Sequence, residues 1–96
     1  MITSKQRSHL RSLANGLEDI IQLGKSGIEE NFIKQIDQVI EIRELIKIKV
    51  LNTSGLTARE ASDIICEKLN CEGIQAIGSK MVIYRKSSKN PRIELE

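Results

Sequence analysis

Leu-Gly-Lys-Ser-Gly-Ile, at residues 23–28, decides the fold because it joins a short apolar run to an amphipathic segment. The apolar run predicts a strand over 19–23, and apolar residues at helical spacing predict a helix over 28–42. Two glycines three residues apart, Gly24 and Gly27, then indicate a tight strand-to-helix turn. Such a turn exposes backbone N–H groups and lets another backbone approach closely, since glycine has no Cβ. Loops of this kind commonly contact phosphate.

The next segment, Leu-Ile-Lys-Ile-Lys-Val at 45–50, alternates strictly between apolar residues and lysine. This alternation predicts a strand that buries one face and presents Lys47 and Lys49 on the other. Thr-x-x-Gln from residue 3 and Thr-x-x-Glu from residue 57 fit capping boxes, so each predicts the start of a helix. Gly-Ser-Lys at 78–80 predicts a hairpin between the last two strands.

The predicted fold class is α/β, with a compact four-stranded mixed sheet and three helices in the order α-β-α-β-α-β-β. The expected helices cover 4–15, 28–42 and 58–70, and the expected strands cover 19–23, 45–50, 74–77 and 81–85. Strands that alternate with helices predict right-handed βαβ crossovers and a parallel core, to which the hairpin adds one antiparallel strand. We expect a single domain over residues 1–86 and a flexible tail over 87–96.

The composition of the 96-residue chain is typical of a globular domain, with 40% hydrophobic and 29% charged residues. No apolar run approaches the length of a membrane span or a secretory signal, so we expect a cytoplasmic protein. Cys66 and Cys71 lie five residues apart, which matches no zinc spacing, and the only histidine, His9, is distant in sequence. We therefore expect two reduced thiols and neither a metal nor a cofactor.

Positive charge is unevenly distributed, although the formal net charge is only +2. Segments 1–17 and 79–93 contain three and five basic residues, respectively, and no acid. The segment 28–42 between them contains four acids and one lysine. This separation predicts a folded domain with one basic side, which is typical of proteins that bind polyanions.

Two kinds of phosphate site can be built on the glycine loop. Gly-Lys-Ser at 24–26 matches the end of a Walker A loop, but that motif needs a glycine where Asp19 stands. A small phosphohydrolase, which would require magnesium-dependent turnover of ATP or GTP, is therefore disfavoured. The alternative is a GxxG loop, in which backbone N–H groups, a helix N-terminus and Lys25 contact a nucleic-acid backbone. A purely steric role for the glycines, and a solvating role for Lys47 and Lys49, stay open.

Aromatic residues are scarce: the chain contains one phenylalanine, one tyrosine and no tryptophan. Phe32 belongs to the apolar stripe of the second predicted helix, so at most one ring, that of Tyr84, is available to stack on a base. We therefore expect contacts with the sugar-phosphate backbone and the shape of folded RNA, with little base readout. No grouping of serine, histidine and acidic residues fits a catalytic site, so we expect no enzymatic activity.

Several short motifs, taken together, resemble the pattern of a known family. They are Lys-Gln-Arg at 5–7, Leu-Ala at 13–14, Leu-Gly-Lys-Ser-Gly at 23–27, Glu-Leu-Ile-Lys-Ile-Lys-Val at 44–50, Ile-Gly at 77–78 and Tyr-Arg at 84–85. Over about residues 2–86 the chain resembles the CRM domain family (chloroplast RNA splicing and ribosome maturation) in its stand-alone bacterial, YhbY-like form. The resemblance implies a fold similar to the C-terminal domain of bacterial translation initiation factor three. It also implies RNA binding, association with large-subunit ribosome precursors, and neither cofactor nor catalysis.

The resemblance and the charge pattern together define a candidate site. By position, the GxxG loop of the family corresponds to Gly24, Lys25, Ser26 and Gly27. From charge we expect folding to bring further RNA-binding cations around this loop, namely Lys5, Arg7, Lys47, Lys49, Lys80 and Arg85. The expected partner is ribosomal RNA of a large-subunit precursor, bound by a monomer, with no membrane and no small-molecule substrate. The alternative is a protein-interaction module that docks on a ribosomal protein or a GTPase through the acidic second and third helices.

Overall fold

Three helices and four strands form the computed structural model, which describes residues 2–95. In chain order they are α1 (Ser4–Ala14), β1 (Asp19–Leu23), α2 (Glu30–Arg43), β2 (Leu45–Val50), α3 (Ala58–Leu69), β3 (Glu72–Ile77) and β4 (Lys80–Tyr84). One turn of 3-10 helix, Asn52–Ser54, follows β2. The order of elements and the mixed four-stranded sheet confirm the predicted fold class.

Both predicted capping boxes are present, and each begins its helix at the expected residue. The Thr3 hydroxyl accepts a hydrogen bond from the Gln6 N–H (3.1 Å), and the Gln6 side chain accepts one from the Thr3 N–H (2.9 Å). Thr57 and Glu60 repeat this arrangement at the start of α3. Helix α2 has no side-chain cap and begins two residues later than predicted, because the chain is still extended at Glu29.

The strands lie in the order β1-β2-β4-β3. Strands β1 and β2 are parallel and are connected by α2, whereas β4 is antiparallel to both of its neighbours. The parallel core expected from the sequence is therefore limited to one adjacent pair, because the last hairpin places β4 between β2 and β3. A two-residue turn, Gly78-Ser79, makes this hairpin, and Gly78 lies in the left-handed region with φ +59°.

The helices cover the two faces of the sheet unequally. Helices α2 and α3 pack on one face over a large cluster that includes Ile46 and Ile48. Helix α1 packs on the other face over a smaller cluster that includes Leu45 and Tyr84. On that same face Lys47 and Lys49 are only half-buried, and Lys80 is exposed. Helix α1 thus leaves uncovered the part of the face nearest to the end of β2.

Residues 87–95, which belong to the segment expected to be a flexible tail, make specific contacts that the sequence analysis did not anticipate. The fully buried carboxylate of Glu44 accepts hydrogen bonds from the N–H groups of Ser87 (2.8 Å), Arg92 (2.6 Å) and Ile93 (2.8 Å). Ile93 and Leu95 pack against the smaller hydrophobic cluster beside α1. The expected domain begins at residue 1 and the expected tail ends at residue 96. Both of these residues lie outside the part of the chain that the structure describes.

Candidate nucleic-acid interface

The glycine loop begins where β1 ends at the buried Leu23 and closes in a single turn. The Gly27 N–H donates to the Gly24 carbonyl at 3.0 Å, which leaves Lys25 and Ser26 exposed at the tip. The two glycines differ in what they require. Gly27 has φ +72°, a conformation that side-chain-bearing residues rarely adopt, whereas Gly24 does not have positive φ. A Cβ at Gly24 would make only an ordinary contact, 3.6 Å from the Leu51 side chain.

The start of α2, which follows the loop, is acidic. Glu29 is the N-cap and makes no side-chain capping bond, and Glu30 lies in the first turn, where it pairs with Lys34 at 3.5 Å. Because these carboxylates already complement the positive end of the helix dipole, the helix end itself is a poor phosphate site. A phosphate at this loop would depend mainly on Lys25 and on the amides of the exposed tip.

Hydrogen bonds place the glycine loop beside two other segments at the same end of the sheet. The Leu51 N–H donates to the Leu23 carbonyl (2.9 Å), so the residue after β2 lies against the beginning of the loop. The Val50 N–H donates to the Ser79 carbonyl (2.6 Å), so the turn before β4 lies there too. We call this end of the sheet, with residues 24–27, 49–51 and 78–80, the loop end.

The strand register aligns side chains across the loop end. Gln22 of β1 lies opposite Lys49 of β2, Lys49 lies opposite Lys80 of β4, and Lys80 lies opposite Ile77 of β3. Neighbouring strands are about 4.8 Å apart, so these side chains form a short row across the sheet. Lys25 lines a cleft with Gln22, and Lys47 lies two residues before Lys49 on the same face of β2. We call these four predicted lysines the lysine surface (Lys25, Lys47, Lys49 and Lys80).

A carboxylate also belongs to the lysine surface. Asp19 of β1 lies opposite Lys47, and its carboxylate is 3.0 Å from the Lys80 ammonium. The hydrogen bond from Lys80 is the main cause of a lowered pKa for Asp19, and the charge of Lys49 acts in the same direction. Asp19 is therefore ionised at neutral pH and already neutralises part of the positive charge.

Arg7 and Lys5 do not lie at the loop end. The Arg7 guanidinium donates to the Gly73 carbonyl and pairs with Glu72 at 3.7 Å, at the start of β3. Lys5 precedes Arg7 on α1 and lines a groove with Arg92 of the tail. We call this opposite end of the sheet the far end. The strands of five to six residues separate the two ends by on the order of 17 Å.

Arg85 also lies at the far end, where it holds three elements together. Its guanidinium lies 2.8 Å from the Asp37 carboxylate and 3.6 Å from that of Glu41, both on α2. It also donates to the carbonyl of Leu69 (3.1 Å), the last residue of α3. The structure thus brings Lys47, Lys49 and Lys80 to the loop but not Lys5, Arg7 or Arg85. The acidic partners of the two arginines are distant in sequence, so charge counting does not reveal them.

The sequence analysis missed two residues next to the lysine surface. Gln22 is exposed in β1 next to Lys49, and Asp19 pairs with Lys80. The alternation of Gln22 with the buried Ile21 and Leu23 was a usable signal, since strand residues two apart share a face. No local signal joins Asp19 to Lys80, because the contact depends on the register of three strands.

A groove larger than the one beside the glycine loop lies elsewhere on the domain. A groove of about 650 Å3 runs along the edge strand β3 between α1 and α3, compared with about 340 Å3 beside the loop. Arg7 and Arg11 occupy it, and their guanidiniums donate to the carbonyls of Gly73 and Ile74. These contacts cover an exposed sheet edge, which is a common way to prevent unwanted strand pairing. We therefore assign this groove a structural role.

Within residues 2–95, no three His, Cys, Asp or Glu side chains are placed to hold a metal ion. In the same part of the chain, no helix has both the length and the apolar character needed to cross a membrane. These features define the class as a small α/β domain with a lysine surface beside a glycine turn, an arrangement suited to extended anions.

Comparison with known proteins identifies the family. The model of the CRS1 / YhbY (CRM) domain matches residues 2–85, so this chain belongs to that family, as the resemblance in its sequence indicated. It is 39% identical over 95 residues to "Probable RNA-binding protein YqeI" of Bacillus subtilis (strain 168), with 99% of each chain covered. It is 30% identical over 88 residues to a protein of Haemophilus influenzae named "RNA-binding protein", covering 92% of this chain and 89% of the relative.

A solved structure has the same fold. The solution structure of SAV1595 from Staphylococcus aureus, provisionally described as an RNA-binding protein, superposes with a TM-score of 0.79 at 45% identity. The match covers 100% of both chains, so the architecture described above extends through the length of that relative.

Proposed function

We propose that this protein is a non-enzymatic RNA-binding protein that binds structured ribosomal RNA through its phosphates and assists assembly of the large ribosomal subunit. The observation that carries RNA binding is the lysine surface, where hydrogen bonds at Leu51 and Val50 gather two other segments beside the glycine loop. Relatives named as RNA-binding proteins support the choice of polyanion. The ribosomal substrate is an expectation from family resemblance.

The predicted binding mode is contact with the RNA backbone. Tyr84 is buried under α1, and Phe32 is half-buried against the core of the other face. Neither ring of the chain is thus presented as an open platform for base stacking. The groups left to contact RNA are lysines and exposed loop amides, which recognise phosphate and the shape of folded RNA. We therefore expect a monomer in the cytoplasm that binds RNA with modest sequence preference and needs no cofactor.

The alternative of a protein-docking module through the acidic helices is less well supported by the charges. Asp37 and Glu41 of α2 are engaged with Arg85. Glu30 and Asp63 pair with a lysine and an arginine four residues away on their own helices. These pairs leave the two acidic helices with little unbalanced charge for a basic partner.

A salt titration tests the proposal. If about four phosphates are neutralised, the logarithm of the RNA affinity should fall with the logarithm of salt concentration with a slope of roughly −3 to −4. A fluorescein-labelled hairpin from large-subunit ribosomal RNA, followed by anisotropy, gives the slope. A flat response would exclude the phosphate-based mode. Sedimentation of tagged protein with ribosome precursors, with and without RNase, tests the ribosomal assignment separately.

A further inference from the structure

Asp19 occupies an unexpected position for an acidic residue. Its side chain is only 23% exposed, and its carboxylate lies 3.0 Å from the ammonium of Lys80, whose side chain is 49% exposed. Lys47 is its register partner on β2, and the charge of Lys49 also acts on its pKa. The Asp19 carboxylate thus lies among three of the four lysines of the lysine surface. The proposed function gives these lysines the role of binding RNA phosphates.

One strand separates Asp19 from Lys80, because β2 lies between β1 and β4. The Lys80 side chain must therefore reach across β2, from beside Lys49 towards the register partner of Lys47, to make this contact. A phosphate that binds Lys80 therefore competes with this carboxylate for the same ammonium group. A surface ion pair of this kind contributes little to folding, so its main consequence is for binding.

We propose that Asp19 is an internal competitor for the RNA phosphate at Lys80 and that it sets the affinity of the lysine surface below its maximum. The inference rests on the proposed function, since it concerns the same surface. A binding protein that assists assembly must release its RNA when assembly advances. A carboxylate that reoccupies Lys80 as the phosphate departs favours that release.

The competitor has a measurable electrostatic signature. The counterions released on binding are cations condensed on the RNA. Because Asp19 offsets the charge of Lys80, the pair displaces fewer of these cations than a free lysine would, so its contribution to the salt dependence is small. Removing the carboxylate frees Lys80 to pair with phosphate alone. We expect Asp19→Asn to tighten RNA binding about three- to tenfold and to steepen the salt slope by about one.

Glu18 supplies a matched control. It is exposed, adjacent in sequence and makes no ion pair within residues 2–95. Glu18→Gln changes the net charge by the same amount as Asp19→Asn. A general effect of net charge would therefore change the RNA affinity of both variants equally. Loss of the competing carboxylate would change the RNA affinity of Asp19→Asn alone.

The experiment measures the anisotropy of a fluorescein-labelled RNA hairpin with the full chain, between about 50 and 200 mM KCl. The variants are Asp19→Asn, Glu18→Gln, Lys80→Ala and the double variant Asp19→Asn/Lys80→Ala. We expect the gain from Asp19→Asn to disappear in the Lys80→Ala background. The inference is overturned if Asp19→Asn gains no more than Glu18→Gln, or if its gain survives without Lys80.

A loss of affinity in Asp19→Asn would also overturn it. Such a loss that vanished in EDTA would mean that Asp19 holds a hydrated Mg2+ against the phosphate. Thermal melting of each variant identifies any misfolding. Failure of the proposed function looks different, because Lys49→Ala and Lys80→Ala would then leave RNA binding of the hairpin unchanged.

Discussion

The two ends of the sheet have similar numbers of cations but use them differently. At the far end, Arg7 and Arg85 pair with carboxylates and donate to backbone carbonyls of other elements. At the loop end, Lys25 and Lys49 project from a turn and a half-covered strand. The planar guanidinium, with its several donors, suits cross-linking, whereas the flexible ammonium suits exchange between solvent and phosphate. Positive charge therefore indicates a binding surface mainly where the fold does not use the cations to cross-link its own elements.

The largest expected effect comes from reversing charge at the loop end. Lys25→Glu with Lys49→Glu should weaken RNA binding about 100-fold, or about 2.7 kcal/mol, because two phosphate contacts become repulsive. The thermal midpoint should stay nearly unchanged. The matched control is Lys5→Glu with Lys89→Glu, which makes the same charge change at exposed positions of the far end. Equal weakening by both pairs would show that the two ends do not differ in RNA binding.

The second prediction concerns stability at the far end. Arg85→Ala should lower the free energy of unfolding by about 1–3 kcal/mol, because the side chain that links the end of β4 to α2 and α3 is removed. Urea denaturation followed by circular dichroism measures this. RNA affinity should change less than twofold. Lys86→Ala, at the exposed neighbouring position, should stay within about 0.5 kcal/mol of the unaltered protein. Strong loss of RNA binding in a folded Arg85→Ala protein would assign Arg85 to the interface.

The third prediction separates the two glycines of the loop. Gly27→Ala should cost about 1 kcal/mol of stability, because alanine is strained at the positive φ of this residue. Gly24→Ala should cost less than about 0.5 kcal/mol, since its Cβ meets only the Leu51 side chain at 3.6 Å. Urea denaturation gives both values. If Gly24→Ala weakens RNA binding at unchanged stability, the missing side chain at Gly24 allows the RNA backbone to come close. Gly24 is then not needed for the conformation of the loop.

The smallest expected effect is the response of the tail to acid. Hydrogen bonds from the Ser87 hydroxyl and from the N–H and hydroxyl of Ser88 lower the pKa of Glu41 from 4.5 to about 2. Burial raises the pKa of Glu44, but hydrogen bonds from the N–H groups of Ser87, Arg92 and Ile93 outweigh it and lower the pKa overall. A lowered pKa in the folded state stabilises the docked tail above pH 4.5, and this contribution is lost as the pH falls towards 2.

Amide chemical shifts of Ser87 and Ser88, followed between pH 7 and 2, would report the release of the tail. In Glu41→Gln the Ser88 amide shift should lose its dependence on pH in this range. Unchanged titration of Ser88 in that variant would contradict the assigned contact. Since the tail lies at the far end, its release should leave the lysine surface intact.

Local signals gave most of the secondary structure. Each capping box acts over three residues, so Thr3 and Thr57 marked the first residues of α1 and α3 correctly. The alternation at 45–50 defined β2 and placed both of its lysines on the less covered face. The position of β4 between β2 and β3 could not be predicted in this way, because strand order depends on which edges meet after the hairpin forms.

The candidate site was predicted in part. The glycine loop and the two lysines of β2 are adjacent because strands β1 and β2 are parallel neighbours, a relation that the βαβ pattern indicates. The tail was harder to predict, since its polar sequence with a proline is typical of a flexible segment. Its contacts with Glu44 depend on a buried carboxylate that no local pattern reveals.

The amino-acid sequence by itself determined the helices, the strands, the glycine turn and the family, because these depend on patterns within a few residues of one another. The tertiary structure alone decided which cations are available. Arg7 bonds to a residue 66 positions away, and Arg85 to one 48 positions away. Such contacts depend on strand order and register, which arise only when the whole chain has folded. For the same reason, only the folded structure shows Asp19 beside Lys80.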